Sequence, residues 1–126
     1  MLVFSKLKNL LGAAAVIGAT LVAPPLSLAA GCSQASFYGG AGDGYAWQTM
    51  ANGKPMNPDS MITAHRHYPF GTRLRVTNQS NGKSVTVVVS DRGPFVAGRD
   101  LDLSIGAFSR IAPPSQGVAR VCYSRV

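Results

Sequence analysis

The sequence predicts an all-β domain of about six strands closed into a barrel, with one or two short helices. Three observations lead there: several short runs of β-type residues, turn dipeptides between them, and a single segment with a helix start signal. Six short strands with so little helix cannot form the layers of an α/β fold, so closure into a barrel is the economical way to bury them. The length of 126 residues sets the scale at one domain.

Cys32 to Tyr38 reads as the first strand, and Gly39-Gly40-Ala41-Gly42-Asp43-Gly44 as a loop too rich in glycine for regular structure. Asn52-Gly53 marks a turn, and Met61 to Ala64 a short second strand. Arg73-Leu74-Arg75-Val76-Thr77 alternates with period two, which puts Leu74 and Val76 on the buried face. Asn81-Gly82 then turns the chain into Ser84-Val85-Thr86-Val87-Val88-Val89-Ser90, completing a hairpin. Leu101 to Leu103 is a brief fifth strand. Ser104 is placed to N-cap a short helix through Ile111, which Pro113-Pro114 stops, and Val118 to Tyr123 returns as the last strand.

The valine strand runs directly into Asp91-Arg92-Gly93-Pro94-Phe95, delivering a carboxylate to a tight turn. Asp is favoured at the first position of such a turn for structural reasons, because its oxygens accept backbone N–H bonds. A strand end is also where a rigid scaffold presents a side chain to an external substrate. Both readings stay open on this segment alone.

Residues 1–29 read as an export signal. Lys6 and Lys8 precede the apolar run from Leu10 to Ala23, Pro24-Pro25 interrupts it, and Ser27-Leu28-Ala29 supplies small residues for cleavage. The folded domain is then 30–126, in the periplasm or the extracellular cell envelope. Ala29-Ala30-Gly31-Cys32 also resembles a lipobox, which would make 1–31 a lipoprotein signal and Cys32 a membrane anchor. The alternative fate of Cys32 is a disulfide with Cys122, which oxidising compartments favour. Closing a loop of roughly 90 residues stabilises a small domain by about 4 to 5 kcal/mol. The disulfide is the preferred reading, and the two fates exclude each other.

The formal charge is +7, and Lys6 and Lys8 account for two of it, so a basic excess survives loss of the leader. Export and the scatter of Arg66, Arg73, Arg75, Arg92, Arg99 and the other arginines argue against nucleic acid; anionic envelope polymers suit the charge better. His65 and His67 share a strand face but lack a third ligand, so no metal and no cofactor is expected. A nucleophile-elbow pattern is absent from the sequence.

An ordered set of motifs adds to this reading: Ala35-Ser36-Phe37-Tyr38-Gly39, Ala51-Asn52-Gly53, Thr63-Ala64-His65-Arg66, Pro69-Phe70-Gly71-Thr72, Asn81-Gly82-Lys83-Ser84, Asp91-Arg92-Gly93-Pro94-Phe95 and Asp102-Leu103-Ser104. Together they resemble the rare-lipoprotein-A family across nearly all of the mature chain. The resemblance implies a six-stranded double-psi β-barrel and a septal lytic transglycosylase acting on peptidoglycan, on strands that lack stem peptides. It implies Asp91 and His65 as catalytic residues. The family's third active residue, a glutamate eleven positions before the histidine, falls on Lys54. The chain contains no glutamate; its five acids are Asp43, Asp59, Asp91, Asp100 and Asp102.

Lytic cleavage needs a proton for the departing glycosidic oxygen and then a base for the muramic acid O6, and one carboxyl group can serve both. Asp91 is the candidate for both steps, with His65 orienting it. Lys54, Arg92, Tyr38 and Asp102 are the candidate substrate-binding residues. Asp102 has a competing role as a cap or turn residue before the Ser104 helix. Tyr38, Tyr45 and Trp47 can stack on sugar rings or pack in the core. The alternative to an enzyme is a non-catalytic, expansin-like module that binds or loosens the wall, and Lys54 is the residue that separates the two. The expected partner is the glycan itself, bound by a monomer.

Overall fold

The computed structural model describes residues 31–126; the segment expected to be an export signal, with its expected cleavage site, lies outside the described residues. Six strands follow in the order β1 (Gly31–Tyr38), β2 (Ile62–Ala64), β3 (Arg73–Asn78), β4 (Ser84–Asp91), β5 (Arg99–Ser104) and β6 (Ala119–Arg125). They close into a barrel with the neighbour order β1-β5-β2-β4-β3-β6. Two pairs, β1 with β5 and β2 with β4, are parallel, and the rest are antiparallel. Parallel neighbours need long connections, and here the chain supplies them through other strands: β2 reaches β4 by way of β3, and β1 reaches β5 by way of β2, β3 and β4.

The expected alternation decides what fills the barrel. Leu74 and Val76 of β3 and Val85, Val87 and Val89 of β4 point inward and are buried, while Thr86 and Val88 face out and are half-buried. Leu101 and Leu103 of β5, Ala35 of β1 and Val121 of β6 complete the lining. The hairpin of β3 and β4 forms with Arg75 opposite Thr86 and Val76 opposite Val85.

The helix is shorter than expected. Helix α1 covers Ile105–Phe108, with the Ser104 hydroxyl accepting from the Ala107 N–H, and the chain continues to Ala112 as hydrogen-bonded turns. Phe108 and Ile111 still reach the core, so the apolar spacing that suggested a helix to Ile111 is met by turns instead. Gly106 is required here. A Cβ on it would stand 2.8 Å from the Pro58 carbonyl oxygen, which accepts the Gly106 N–H. A 3-10 turn at Pro114–Gln116 precedes β6.

Cys32 pairs with Cys122 across the β1–β6 seam, and their sulfurs are bonded. This is the preferred of the two fates considered for Cys32, and a thioether anchor on that sulfur is incompatible with it. Outside the barrel, Tyr38, Met50 and Met56 form a second, smaller apolar cluster. It fastens the loop after β1 to the wall, with Thr49 bridging Pro55 at the base of the Asn52-Gly53 turn.

Candidate functional site

The two parallel pairs set the site by register. Ala64 of β2 pairs with Asp91 of β4 on one side and with Asp102 of β5 on the other, and Asp102 pairs in turn with Ser36 of β1. Residues directly opposite on adjacent strands project from the same face. A row Ser36, Asp102, Ala64, Asp91 therefore crosses four strands, and Ala64, between the two aspartates, carries only a methyl group. A groove of about 340 Å³ lies over this row, lined by Tyr38, Tyr45, Asp91, Arg92, Phe95 and Asp102 among others. A larger hollow of about 620 Å³ lies beside the β3–β4 hairpin, lined by Arg75, Thr77, Ser84 and Cys122 among others; no acid or histidine lines it. Both candidate carboxylates, Asp91 and Asp102, line the smaller groove.

Asp91 has three donors. The Tyr38 hydroxyl donates to Oδ2 at 2.8 Å, and the backbone N–H groups of Ala51 and Arg92 donate to Oδ1, each at 2.9 Å. All three are partners that an ionised carboxylate accepts. The bond from Arg92 is the local turn bond foreseen for an Asp at this position. Those from Tyr38 and Ala51 come from 53 and 40 residues away. Burial, and then Asp91 itself, push the Tyr38 hydroxyl well above its usual range, so it stays a donor.

Asp102 is held differently. Its Oδ1 accepts one bond, from the Ser36 hydroxyl at 2.9 Å, and among the described residues Oδ2 has no hydrogen-bond partner. Burial pushes its carboxyl above the usual range, against the Ser36 bond and Arg99, which favour the ionised form; Asp91 and Asp43 add to the upward push. The capping role weighed for Asp102 belongs to Ser104 instead.

His65 stands outside this groove, contrary to the expectation that it shares a site with Asp91. Its ring is buried and stacked on Tyr68, with centroids 4.0 Å apart. Its Nδ1 accepts the N–H groups of His67 and Tyr68, each at 3.0 Å, which leaves the proton on Nε2 in the neutral ring. Burial pushes its pKa down, with only Asp100 opposing. What reaches the site is its backbone: the His65 N–H donates to the Asp91 carbonyl, and its own carbonyl accepts from Arg92.

Arg92 lines the groove but works as a clamp. Its Nη1 donates to the carbonyls of His65 and Tyr68, and its guanidinium lies 4.0 Å over the Phe70 ring. Lys54 is exposed at the Asn52-Gly53 turn, away from the groove lining, and it makes no ion pair with Asp91. Of the aromatics, Tyr38 and Tyr45 line the groove, the first buried and the second half-exposed, whereas Trp47 is 62% exposed and is not part of the lining.

Three contributors escaped the sequence reading. Ser36 could have been found, since it lies two residues before Tyr38 and so shares its strand face. The Ala51 N–H has no side-chain signal at all. Arg66 donates to the carbonyls of Pro94 and Arg99, at 2.8 and 2.9 Å, and thereby braces both ends of the groove-wall loop that carries Phe95. Its other nitrogen pairs with Asp100, which also accepts from Tyr123.

The fold and the groove define a double-psi β-barrel that presents two carboxylates at the meeting of its parallel strand pairs. The chain belongs to the lytic transglycolase family, whose profile matches residues 30–123. A protein of Nostoc sp. named probable endolytic peptidoglycan transglycosylase RlpA is 54% identical over 87 residues, covering 69% of this chain and 23% of that relative. The chain thus spans about a quarter of that relative's length. Among solved structures, the Streptomyces papain inhibitor has a TM-score of 0.59 at 22% identity, covering 78% of this chain and 96% of that one. A Clavibacter michiganensis expansin has a TM-score of 0.58 at 28% identity, covering 75% and 49%.

Proposed function

We propose that this chain is an exported peptidoglycan lytic transglycosylase, cutting glycan strands that lack stem peptides between N-acetylmuramic acid and N-acetylglucosamine to leave 1,6-anhydromuramic ends. The observation that carries the reading is the Asp91 carboxylate, fixed by three donors in an open groove. Such a group is held in place before substrate arrives and is able to take the O6 proton. The family membership and the name of the Nostoc relative support the reaction class. His65 and Arg92 position the strand end that carries Asp91, while Tyr45 and Phe95 offer apolar faces to sugar rings. The substrate is met in the periplasm or cell envelope by a monomer whose residues 1–29 have been removed, and the Cys32–Cys122 bond supports an oxidising compartment.

A second reading has its own observation. Lys54 replaces the acid that the family resemblance leads one to expect, and it stands exposed on the turn that delivers Ala51 to Asp91. A cation there suits binding of an anionic glycan without cleavage, as in an expansin-like wall-binding module, and the likeness to an expansin fits.

Incubation of the mature protein with peptide-stripped glycan strands, followed by mass spectrometry, separates the two. Anhydromuramic ends support the enzyme. Cosedimentation with intact sacculi without any such ends supports the binder and overturns the enzyme. In the second case Lys54→Glu is expected to introduce product formation.

A further inference from the structure

We infer that the groove divides the two proton transfers between two carboxyl groups, Asp102 giving the proton to the departing glycosidic oxygen and Asp91 taking the proton from O6. The inference rests on the transglycosylase reading and deepens it.

Geometry comes first. Asp91 and Asp102 flank Ala64 on its two neighbouring strands, and all three line the same groove. Neighbouring strands lie about 4.8 Å apart, so the two backbones stand roughly 10 Å from each other with only a methyl group between them. A sugar ring laid over Ala64 has one carboxyl group on each side.

The hydrogen bonds assign the roles. Asp91 accepts from three donors, which engage both of its oxygens. Asp102 lines the groove and accepts a single bond, at Oδ1, so that among the described residues Oδ2 has no hydrogen-bond partner. A carboxyl group with a free oxygen is able to carry a proton and present it to substrate; one whose oxygens are both engaged by donors serves as the base. The groups around Asp102 agree with this. Burial favours its neutral form most, and the nearby charges of Asp91 and Asp43 add to that, against Ser36 on β1 and Arg99 on its own strand.

The step balances. The proton of Asp102 passes to the glycosidic oxygen as the bond from that oxygen to C1 of muramic acid breaks. O6 forms its bond to C1, closing the anhydro ring, and its proton passes to Asp91. One proton has moved from O6 to the leaving oxygen, no water is consumed, and no oxidation state changes. Exchange with solvent returns Asp102 to its acid form and Asp91 to its carboxylate.

The test compares two leaving groups. Asp102→Asn and Asp91→Asn both keep a side-chain acceptor and are first checked for an unchanged circular dichroism spectrum. On natural glycan strands each is expected to lower product formation by roughly 100-fold or more. On a p-nitrophenyl glycoside of a peptide-free oligosaccharide ending in muramic acid, whose leaving group departs without a proton, Asp102→Asn should lose less than about 10-fold, while Asp91→Asn stays impaired. Equal loss by Asp102→Asn on both substrates, or no loss on either, overturns the assignment. Ser36→Ala gives a second reading that does not remove the carboxyl group: loss of that donor should move the alkaline limb of the pH profile upward, and an unmoved limb overturns the acid role. A wild type that makes no anhydro ends overturns the transglycosylase reading itself, whereas an active wild type with an undiminished Asp102→Asn variant overturns only the division of labour.

Discussion

Loss of the Cys32–Cys122 bond should remove a large share of the stability of this domain. The two cysteines are 90 positions apart, so the loop they close holds almost all of the described chain. Restricting the unfolded chain by a loop of that length is worth about 4.6 kcal/mol at 25 °C in the chain-entropy treatment. Domains of this size have total stabilities of about 5 to 10 kcal/mol, so the bond accounts for a good part of the whole. The native barrel does not depend on the bond for its shape, because β1 keeps its pairing with β5 and with the rest of β6. The effect should therefore appear as a cheaper unfolded state. Urea unfolding of the oxidised protein, the protein with a reducing agent, and the Cys32→Ala/Cys122→Ala variant gives the measurement. Cys32 is exposed and Cys122 buried, so the double variant should lose slightly more than the reduced protein. A loss of about 4 kcal/mol with an unchanged circular dichroism spectrum is the expected result. A loss below about 1.5 kcal/mol would refute the loop-entropy argument, because it would mean the unfolded chain already holds these ends together.

Other consequences can be measured with single substitutions. His65→Ala should destabilise the fold by about 1 to 2 kcal/mol by stranding the N–H groups of His67 and Tyr68, whereas His65→Asn, whose Oδ1 can accept both, should recover most of that loss along with turnover. Burial lowers the His65 pKa, so the folded state binds fewer protons there than the unfolded state does. Stability from this group is full above the ordinary histidine range and falls as the pH drops through it; thermal melts at pH 7 and pH 5 should show the drop, and His65→Asn should show less of it. Asp102 has the opposite sign. Its carboxyl is raised by burial, so the penalty for ionising it in the fold grows as the pH climbs through that raised value. Asp102→Asn should consequently gain more stability over the wild type at pH 7 than at pH 3, and a gain independent of pH would contradict this. Arg66→Ala leaves the Pro94 and Arg99 carbonyls without their donor and should lower stability by about 2 kcal/mol, with faster amide hydrogen exchange confined to residues 93–98.

Local elements of the barrel were legible because their signals are local. The alternation around Leu74 and Val76, the Asn81-Gly82 turn and the valine run each depend on residues within one hairpin, and β3 and β4 formed as expected. The helix after Ser104 was half legible: the cap is there, but apolar spacing does not distinguish a helix from successive turns that bury Phe108 and Ile111. The parallel pairings were not legible at all. β1 meets β5 with 66 positions between Ser36 and Asp102, and nothing in either segment names its partner. Tyr38 and Trp47 show the same limit for side chains. Both are aromatics beside the glycine loop, yet one is buried against Met50 and Met56 and the other lies open to solvent, because Tyr38 is held in β1 opposite Ser104 whereas Trp47 lies in the loop outside the strands.

The two explanations of Asp91 that the sequence leaves open prove to be compatible. The bond from the Arg92 N–H is a turn bond, and it would be made by an aspartate with no function. The bonds from Tyr38 and Ala51 are different in kind, because a turn does not need them. They require β1 and the loop after it to be packed against β4's end, and that packing rests on Tyr38, Met50 and Met56 outside the main core. A domain of this size gains little stability from a satellite cluster that holds a loop over a carboxylate, but it gains a fixed geometry for that carboxylate. The same logic applies across the row. Ala64 leaves room between Asp91 and Asp102 where a larger β-former would pack the face shut, and Asp102 keeps a free oxygen at the expense of burying a carboxyl group. Each of these choices is unfavourable or neutral for folding alone, and all of them converge on one groove.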